Sequence, residues 1–321
     1  MTGPHARRDD AAGAAAAALS VRRILPGEEA VWFAVRPSRR SPPPAFTAEP
    51  GFRSEAHLVA VRDGAPVGRM ESILEEPHEV TLVHPIATDG ASPDEFAQVV
   101  DALVAEGVSV AAALGTARTQ LLLMDSMSRL DELMERTARW GFTLEQRKAF
   151  YSVDAASVRW DLASPPSGLS FRSARDADDP ELVTTLARVL DGSYESDQDA
   201  AADVALYVAL CRRNDCLYPE DWEFATLDDG RVVGVVLPAF ADAGHAAGTN
   251  LHVGLVPEAR GRGLGLVLHA RGLATMRRRG ATRFISSCDV RNVPMQRVFE
   301  RLGYTRRSAQ FVYTLRGAPT P

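Results

Sequence analysis

Three glycines at alternate positions, Gly261, Gly263 and Gly265, constrain this chain more than any other feature. They close the run Val256-Pro257-Glu258-Ala259-Arg260-Gly261-Arg262-Gly263-Leu264-Gly265. An apolar extended stretch precedes it and an amphipathic helical stretch follows. Residues without a Cβ let backbone approach a bulky anion closely. The helix behind them aims its unpaired N–H groups and positive dipole end at the same spot. The run therefore reads as a cradle for a pyrophosphate. No Gly-Lys-Ser/Thr follows, which excludes a nucleoside-triphosphate loop. The dinucleotide fingerprint fails too, in its glycine spacing and in the acidic residue about 20 positions on.

Downstream, Arg283-Phe284-Ile285-Ser286-Ser287-Cys288 reads as a strand, and Asn292 to Tyr304 as a helix ending in Gly-aromatic. Asn292 suits an N-cap, and Pro294 falls in the first turn, where its missing N–H costs little. Met295, Val298, Phe299 and Leu302 then share one apolar face. A last strand, Gln310 to Leu315, closes the unit. This order of blocks resembles the GNAT superfamily of N-acetyltransferases, whose acyl-CoA loop reads Arg/Gln-x-x-Gly-x-Gly/Ala. Arg260, Gly263 and Gly265 occupy its fixed positions.

Three features of the second half recur in the first. Val61 to Gly68 mirrors Leu227 to Gly234, each with an Asp-Gly turn and a glycine four residues on. Leu133 to Phe142 mirrors the helix ending at Gly303-Tyr304. Gly141 to Tyr151 and Gly303 to Tyr313 each lead into an aromatic-rich strand. The chain thus resembles tandem GNAT-like units, similar to the mycothiol synthase type of arrangement. At 321 residues it has length for two cores. The expected organisation is a tail over 1–19, a degenerate unit over 20–162, a Pro/Ser/Gly linker over 163–168, and the catalytic unit over 169–316. Each unit is expected to be α+β, a mixed, mostly antiparallel sheet flanked by helices. The first unit lacks the loop. Asp89 and Asp94 stand where it would be and repel a pyrophosphate, leaving that unit to wall part of an acceptor pocket.

The net charge of −6 argues against a general nucleic-acid binder. Three cysteines imply no disulfide framework, which fits a reducing cytoplasm, and their spacing is weak for a metal, so none is expected. The Ala-rich start is too short and too weakly apolar to span a bilayer, so no membrane partner is expected.

What the resemblance implies is direct acyl transfer from acyl-CoA, most simply acetyl-CoA, through a tetrahedral intermediate to a primary amine of a small metabolite. The thioester would lie where two strands splay, near Thr249–Val256 and Phe284–Cys288. Its pantetheine arm would run beside Gly254, Leu255 and Val256, with the Gly254 N–H facing the oxyanion. The anion would meet Arg260, Gly261, Arg262, Gly263, Leu264 and Gly265, with Asn292 and Phe299 nearby. Strand alternation predicts Asn250, His252, Gly254 and Val256 on one face. There His252 is the candidate base, since imidazole titrates near 6.5, and Asn250 is a substrate contact. The family's usual acid, a tyrosine four residues before the final Gly, is Phe299 here. Tyr304, Cys288 and Tyr313 are candidate replacements. Acceptor contacts are expected from Tyr194 and Glu195. Alternatives are a longer acyl-CoA, a hydroxyl acceptor, or a pseudo-enzyme that binds CoA as a sensor.

Overall fold

In this computed structural model the described residues are 18–36, 57–75, 79–116, 118–162, 164–174, 179–194, 208, 218–241 and 244–316. The expected N-terminal tail up to residue 17, Glu195, Cys211 and Cys216 lie outside them. Two compact units form. One comprises the chain to Leu123, then Met127–Leu144 and the end from Tyr313; the other comprises Met124–Ser126 and Glu145–Val312.

In the first unit, strands β1 (Leu19–Arg23), β2 (His57–Arg62), β3 (Ala65–Glu75), β4 (Glu79–Ala87) and β5 (Arg118–Met124) lie in that sheet order. Neighbours are antiparallel except β4 and β5, which are parallel. Helices α1 (Glu29–Val35), α2 (Pro93–Ala113) and α3 (Leu130–Thr137) complete it. The β2–β3 hairpin turns on Asp63 and Gly64, both at positive φ, as a two-residue hairpin loop requires. The glycine four residues on, Gly68, seats the helix: a Cβ there would stand 2.2 Å from Val99 of α2. α2 is long and apolar enough to cross a membrane, yet Val100, Leu103 and Val104 on its inner face are buried in the protein.

The second unit orders its strands β12 (Thr305–Arg316, in this unit to Val312), β6 (Thr143–Asp154, in this unit from Glu145), β11 (Arg283–Asp289), β10 (Ala247–Leu255), β9 (Val232–Phe240), β8 (Glu223–Leu227) and β7 (Leu169–Ser173). Helices α4 (Asp179–Leu190), α5 (Leu264–Arg278) and α6 (Val293–Leu302) flank it. The mirrored glycine does the mirrored work. A Cβ on Gly234 would stand 2.4 Å from the Gly254 carbonyl and 2.8 Å from Leu268 of α5. Two apolar clusters fill the unit. One gathers Leu182, Leu186 and Val189 of α4 with β8 and β9. The other packs Leu273 and Met276 of α5 and Phe299 and Leu302 of α6 on Phe284. Each such side chain, buried fully, contributes about 2 kcal/mol.

The fold is α+β in two tandem units, as the repeat implies. β6 and β12 are each 12 residues long and begin just past a glycine in left-handed conformation, Gly141 and Gly303. The units do not divide at the Pro/Ser/Gly connector, however. β6 follows the helix of the first repeat but pairs with β11 from Lys148↔Asp289 to Asp154↔Arg283. A strand belongs to the sheet that satisfies its backbone, so the second unit begins at Glu145 rather than after residue 168.

Candidate active site

Parallel pairing of β10 with β11 stops almost as it starts. Ala247 faces Arg283 and Gly248 faces Phe284, and no later pair forms. β10 continues to Leu255 and β11 to Asp289, so the facing backbone edges part. Beyond the gap, Val256 to Arg260 makes a short 3-10 turn and the glycine run opens α5. Gly261 and Gly263 sit at φ +77° and +78°, where side chains are strained. A Cβ on Gly261, Gly263 or Gly265 would meet nothing within 4 Å, so the three glycines face open space. Gly263 caps α5 with no side-chain hydrogen bond, which leaves first-turn N–H groups pointing outward. A gap for an extended arm ending at an uncapped helix N-terminus fits a thioester carried on a diphosphate.

The equivalent helix of the first unit is closed to such a ligand. Ser92 Oγ accepts from the Glu95 N–H, and the Glu95 carboxylate accepts from the Ser92 N–H at 2.9 Å. That capping box satisfies the donors an anion would use and puts a negative charge in their place.

β10 does not alternate as a regular strand. Asn250 pairs with Pro238 and His252 with Leu237, so Leu251 is the extra residue of a bulge. Pro238 and Leu237 face opposite sides, and so therefore do Asn250 and His252. This corrects the expected single face of Asn250, His252, Gly254 and Val256. His252 and Gly254 lie on the α4 side, where a Cβ on Gly254 would meet Val189 at 2.4 Å. His252 is half-buried there. Asn250 turns to the α5 side: its amide nitrogen donates to the His269 carbonyl at 3.1 Å and lies 3.2 Å from His269 Nδ1.

Other expected positions hold structural roles. The Arg260 guanidinium donates to the carbonyls of Leu255 (3.1 Å), Val189 (3.0 Å) and Asp191 (2.7 Å). It thus ties the end of α4 to the end of β10, while its backbone stays in the loop. Asn292 caps α6, its side chain accepting from the Met295 N–H at 3.2 Å. Phe299 is 1% exposed, with its ring against Tyr151, His269 and Tyr304, so it is core rather than a ligand contact. Cys288 is buried in the same cluster, and Tyr313 is buried also. Arg262 is exposed and Leu264 buried in the first turn of α5. Tyr194, just past α4, is 46% exposed beneath the Arg291 guanidinium, 5.3 Å from its ring centre. No group of three or more metal-ligating side chains occurs among the described residues.

His269 was missed in the sequence. It sits on the buried face of α5 with Leu266 and Leu273 and is 1% exposed. Burial lowers its pKa from 6.5 to about 3, so it is neutral. Its Nε2 lies 3.2 Å from the Tyr304 hydroxyl, which lies 3.3 Å from Ser286 Oγ. Burial pushes the Tyr304 phenol above its usual value. The readable signal was a histidine on an otherwise apolar helical stripe.

Residues 186–304, which span the gap, the loop and α6, match the Acetyltransferase (GNAT) family. The matched residues, all within the second unit, are a GNAT acetyltransferase domain. The chain is 29% identical over 174 residues to a mycothiol acetyltransferase of Saccharomonospora viridis, covering 52% of this chain and 55% of that one. It is 32% identical over 182 residues to that of an Arthrobacter species, covering 55% and 54%. The chain thus spans about half the length of the curated relatives it matches. Among solved structures, a GCN5-related N-acetyltransferase from Sphaerobacter thermophilus superposes with a TM-score of 0.65 at 15% identity, over 93% of this chain and 95% of that one. A tandem GNAT protein from the clavulanic acid biosynthesis pathway gives 0.59 at 14% identity, over 95% and 100%. These two share the fold. The GNAT domain's neighbours extend over both units.

Proposed function

We propose that the GNAT domain transfers an acetyl group from acetyl-CoA to a primary amine of a small metabolite. The observation that carries this reading is the parted β10–β11 edge leading into the uncapped, glycine-lined N-terminus of α5. The name of the relatives, mycothiol acetyltransferase, supports a small-molecule acceptor. The thioester supplies the acyl group; the chain orients it and handles the amine's proton. Backbone N–H groups at Gly263, Leu264 and Gly265 would hold the diphosphate. The unpaired edge of β10 around Gly254 would line the arm and offer an N–H to the oxygen that gains charge. His252, on the α4 side, would accept the amine proton, and Tyr194 would border the acceptor on that side. Residues up to about 144 form the non-catalytic unit, its helix end closed by Ser92 and Glu95.

A second reading, a CoA-binding sensor, draws support from Phe299, which puts a ring without a hydroxyl at the family's acid position. Thiol release from acetyl-CoA, measured across a panel of primary amines and amino sugars beside calorimetric CoA binding, separates the two. Turnover that depends on amine supports the transferase. Tight CoA binding with no turnover supports the sensor, and no CoA binding overturns both.

A further inference from the structure

The last β10–β11 pair is Gly248 with Phe284, and two residues beyond it on each strand lie Asn250 of β10 and Ser286 of β11. No backbone pair joins the strands there. Side chains do: Asn250 contacts His269, His269 contacts Tyr304, and Tyr304 contacts Ser286, at 3.2, 3.2 and 3.3 Å. This arch spans the parting on the α5 side, opposite His252. The fold makes room for it. A Cβ on Gly272 would stand 1.7 Å from Asn250 Oδ1, so only glycine admits this amide. That Oδ1 is itself buried with no partner among the described residues. An unsatisfied buried oxygen is costly, and so is a buried polar line; both call for a purpose.

The direction of the arch follows from its chemistry. A carbonyl only accepts, so the Asn250 NH₂ faces the His269 carbonyl and, with its second hydrogen, Nδ1. Neutral His269 then carries its proton on Nε2 and donates to Tyr304. Three protons remain in the arch, on Nε2, on Tyr304 and on Ser286, for two links. One hydroxyl proton is left over, on Tyr304 or Ser286.

Resting on the acyltransfer reading above, we propose that this arch is a fixed hydrogen-bond donor line, which offers its surplus hydroxyl proton to the departing sulfur in place of the acid missing at Phe299. Tyr304 and Ser286 would touch the sulfur, and His269 and Asn250 are positioning residues. The line donates a hydrogen bond as the C–S bond breaks and surrenders no proton. His252 takes the amine's proton on the other face. Amine attack and sulfur departure are thus served from opposite sides of the gap.

The test pairs kinetics with a readout independent of turnover. Tyr304→Phe and Ser286→Ala are expected to lower kcat about 10- to 100-fold with KM for acetyl-CoA within about twofold. The deficit should shrink with an acetyl thioester of a more acidic thiol, which needs less help to leave. Nitrogen-15 NMR of the ligand-free protein, with the signal assigned by its loss in His269→Gln, should show His269 as the neutral Nε2–H form from pH 7.5 to 5. Its Nε2 resonance should move in Tyr304→Phe and on adding CoA to the native protein. Wild-type kcat in both variants, an Nδ1–H form, or titration near 6.5 overturns the proposal. If the native protein turns over no amine, the transferase reading fails. The NMR arms then still decide whether the line exists and senses the thiol. Should Tyr304→Phe not fold, Ser286→Ala alone carries the kinetic arm.

Discussion

Asn250 and His252 stand two positions apart on β10 and face opposite sides of its sheet. The bulge at Leu251 separates them, leaving His252 toward α4 and Asn250 hydrogen-bonded to His269 of α5. Their substitutions should therefore fail in different ways. His252→Ala is expected to lower kcat about 100-fold or more, the scale of one lost proton acceptor, with little change in Tm. Asn250→Ala is expected to cost about 1–3 kcal/mol of stability, because two acceptors on buried His269 lose their donor. Amine-dependent turnover and urea unfolding of the two variants check this. Equal kcat losses with equal stability losses would contradict the division of faces.

His269 makes stability depend on pH. Its folded pKa of about 3 lies below the unfolded value near 6.5. The unfolded chain therefore binds a proton in the window where the folded chain does not. Stability is full above about 6.5 and declines as pH falls toward 3, by about 1.4 kcal/mol per unit from this one residue. Urea midpoints of the native protein at pH 7.5, 6.0 and 5.0 should fall in that order. His269→Gln should be less stable at pH 7.5 and show a shallower decline. A native midpoint flat from pH 7.5 to 5.0 would contradict the burial.

Arg260 occupies a position that reads as a phosphate contact, yet its guanidinium holds three backbone carbonyls at the ends of α4 and β10. Arg260→Lys keeps the charge and loses the fork that reaches all three. It is expected to cost about 2 kcal/mol and lower Tm by several degrees. CoA affinity should fall less than tenfold, through looser α4 rather than a lost ionic contact. Thermal unfolding beside calorimetric CoA titration tests this. A loss of CoA binding above 100-fold at unchanged Tm would return Arg260 to the anion.

The parts of the site legible in sequence were those set by local backbone chemistry. Alternate glycines mark a loop that needs positive φ, Asn292 marks a cap, and repeated Asp-Gly turns mark two hairpins. Such signals lie within a few residues of their cause. The bulge at Leu251 was illegible because it is created by pairing with β9, and it reversed the face of every residue before it relative to those after it. His269 was hidden for a similar reason. Only packing reveals that its imidazole meets Asn250 from β10 and Tyr304 from the far end of α6. The placement of β6 in the second unit depends on pairing with β11, far away in sequence. Those contacts leave no pattern in one chain's local order.

The glycine run itself can be separated into strain and contact. Gly263 sits at φ +78°, whereas Gly265 lies within the first turn of α5, and neither has an atom within 4 Å of a would-be Cβ. Gly263→Ala should cost about 1 kcal/mol from its left-handed backbone. It should also weaken CoA binding more than tenfold, because the loop relaxes away from its left-handed turn and its N–H groups lose their aim. Gly265→Ala meets no strain and gains helix propensity, so stability should hold or rise by up to about 1 kcal/mol. The family pattern accepts Ala there, so CoA affinity should stay within about threefold. Ser92→Ala, at the capping box of α2, supplies the contrast: it should cost about 1 kcal/mol and leave CoA affinity unchanged. Calorimetric CoA titration and urea unfolding of the three variants read both quantities. If Gly265→Ala abolished binding while Gly263→Ala spared it, the anion would sit against the helix barrel rather than on the loop's turned backbone. The assignment of the diphosphate to the uncapped N–H groups would then be wrong.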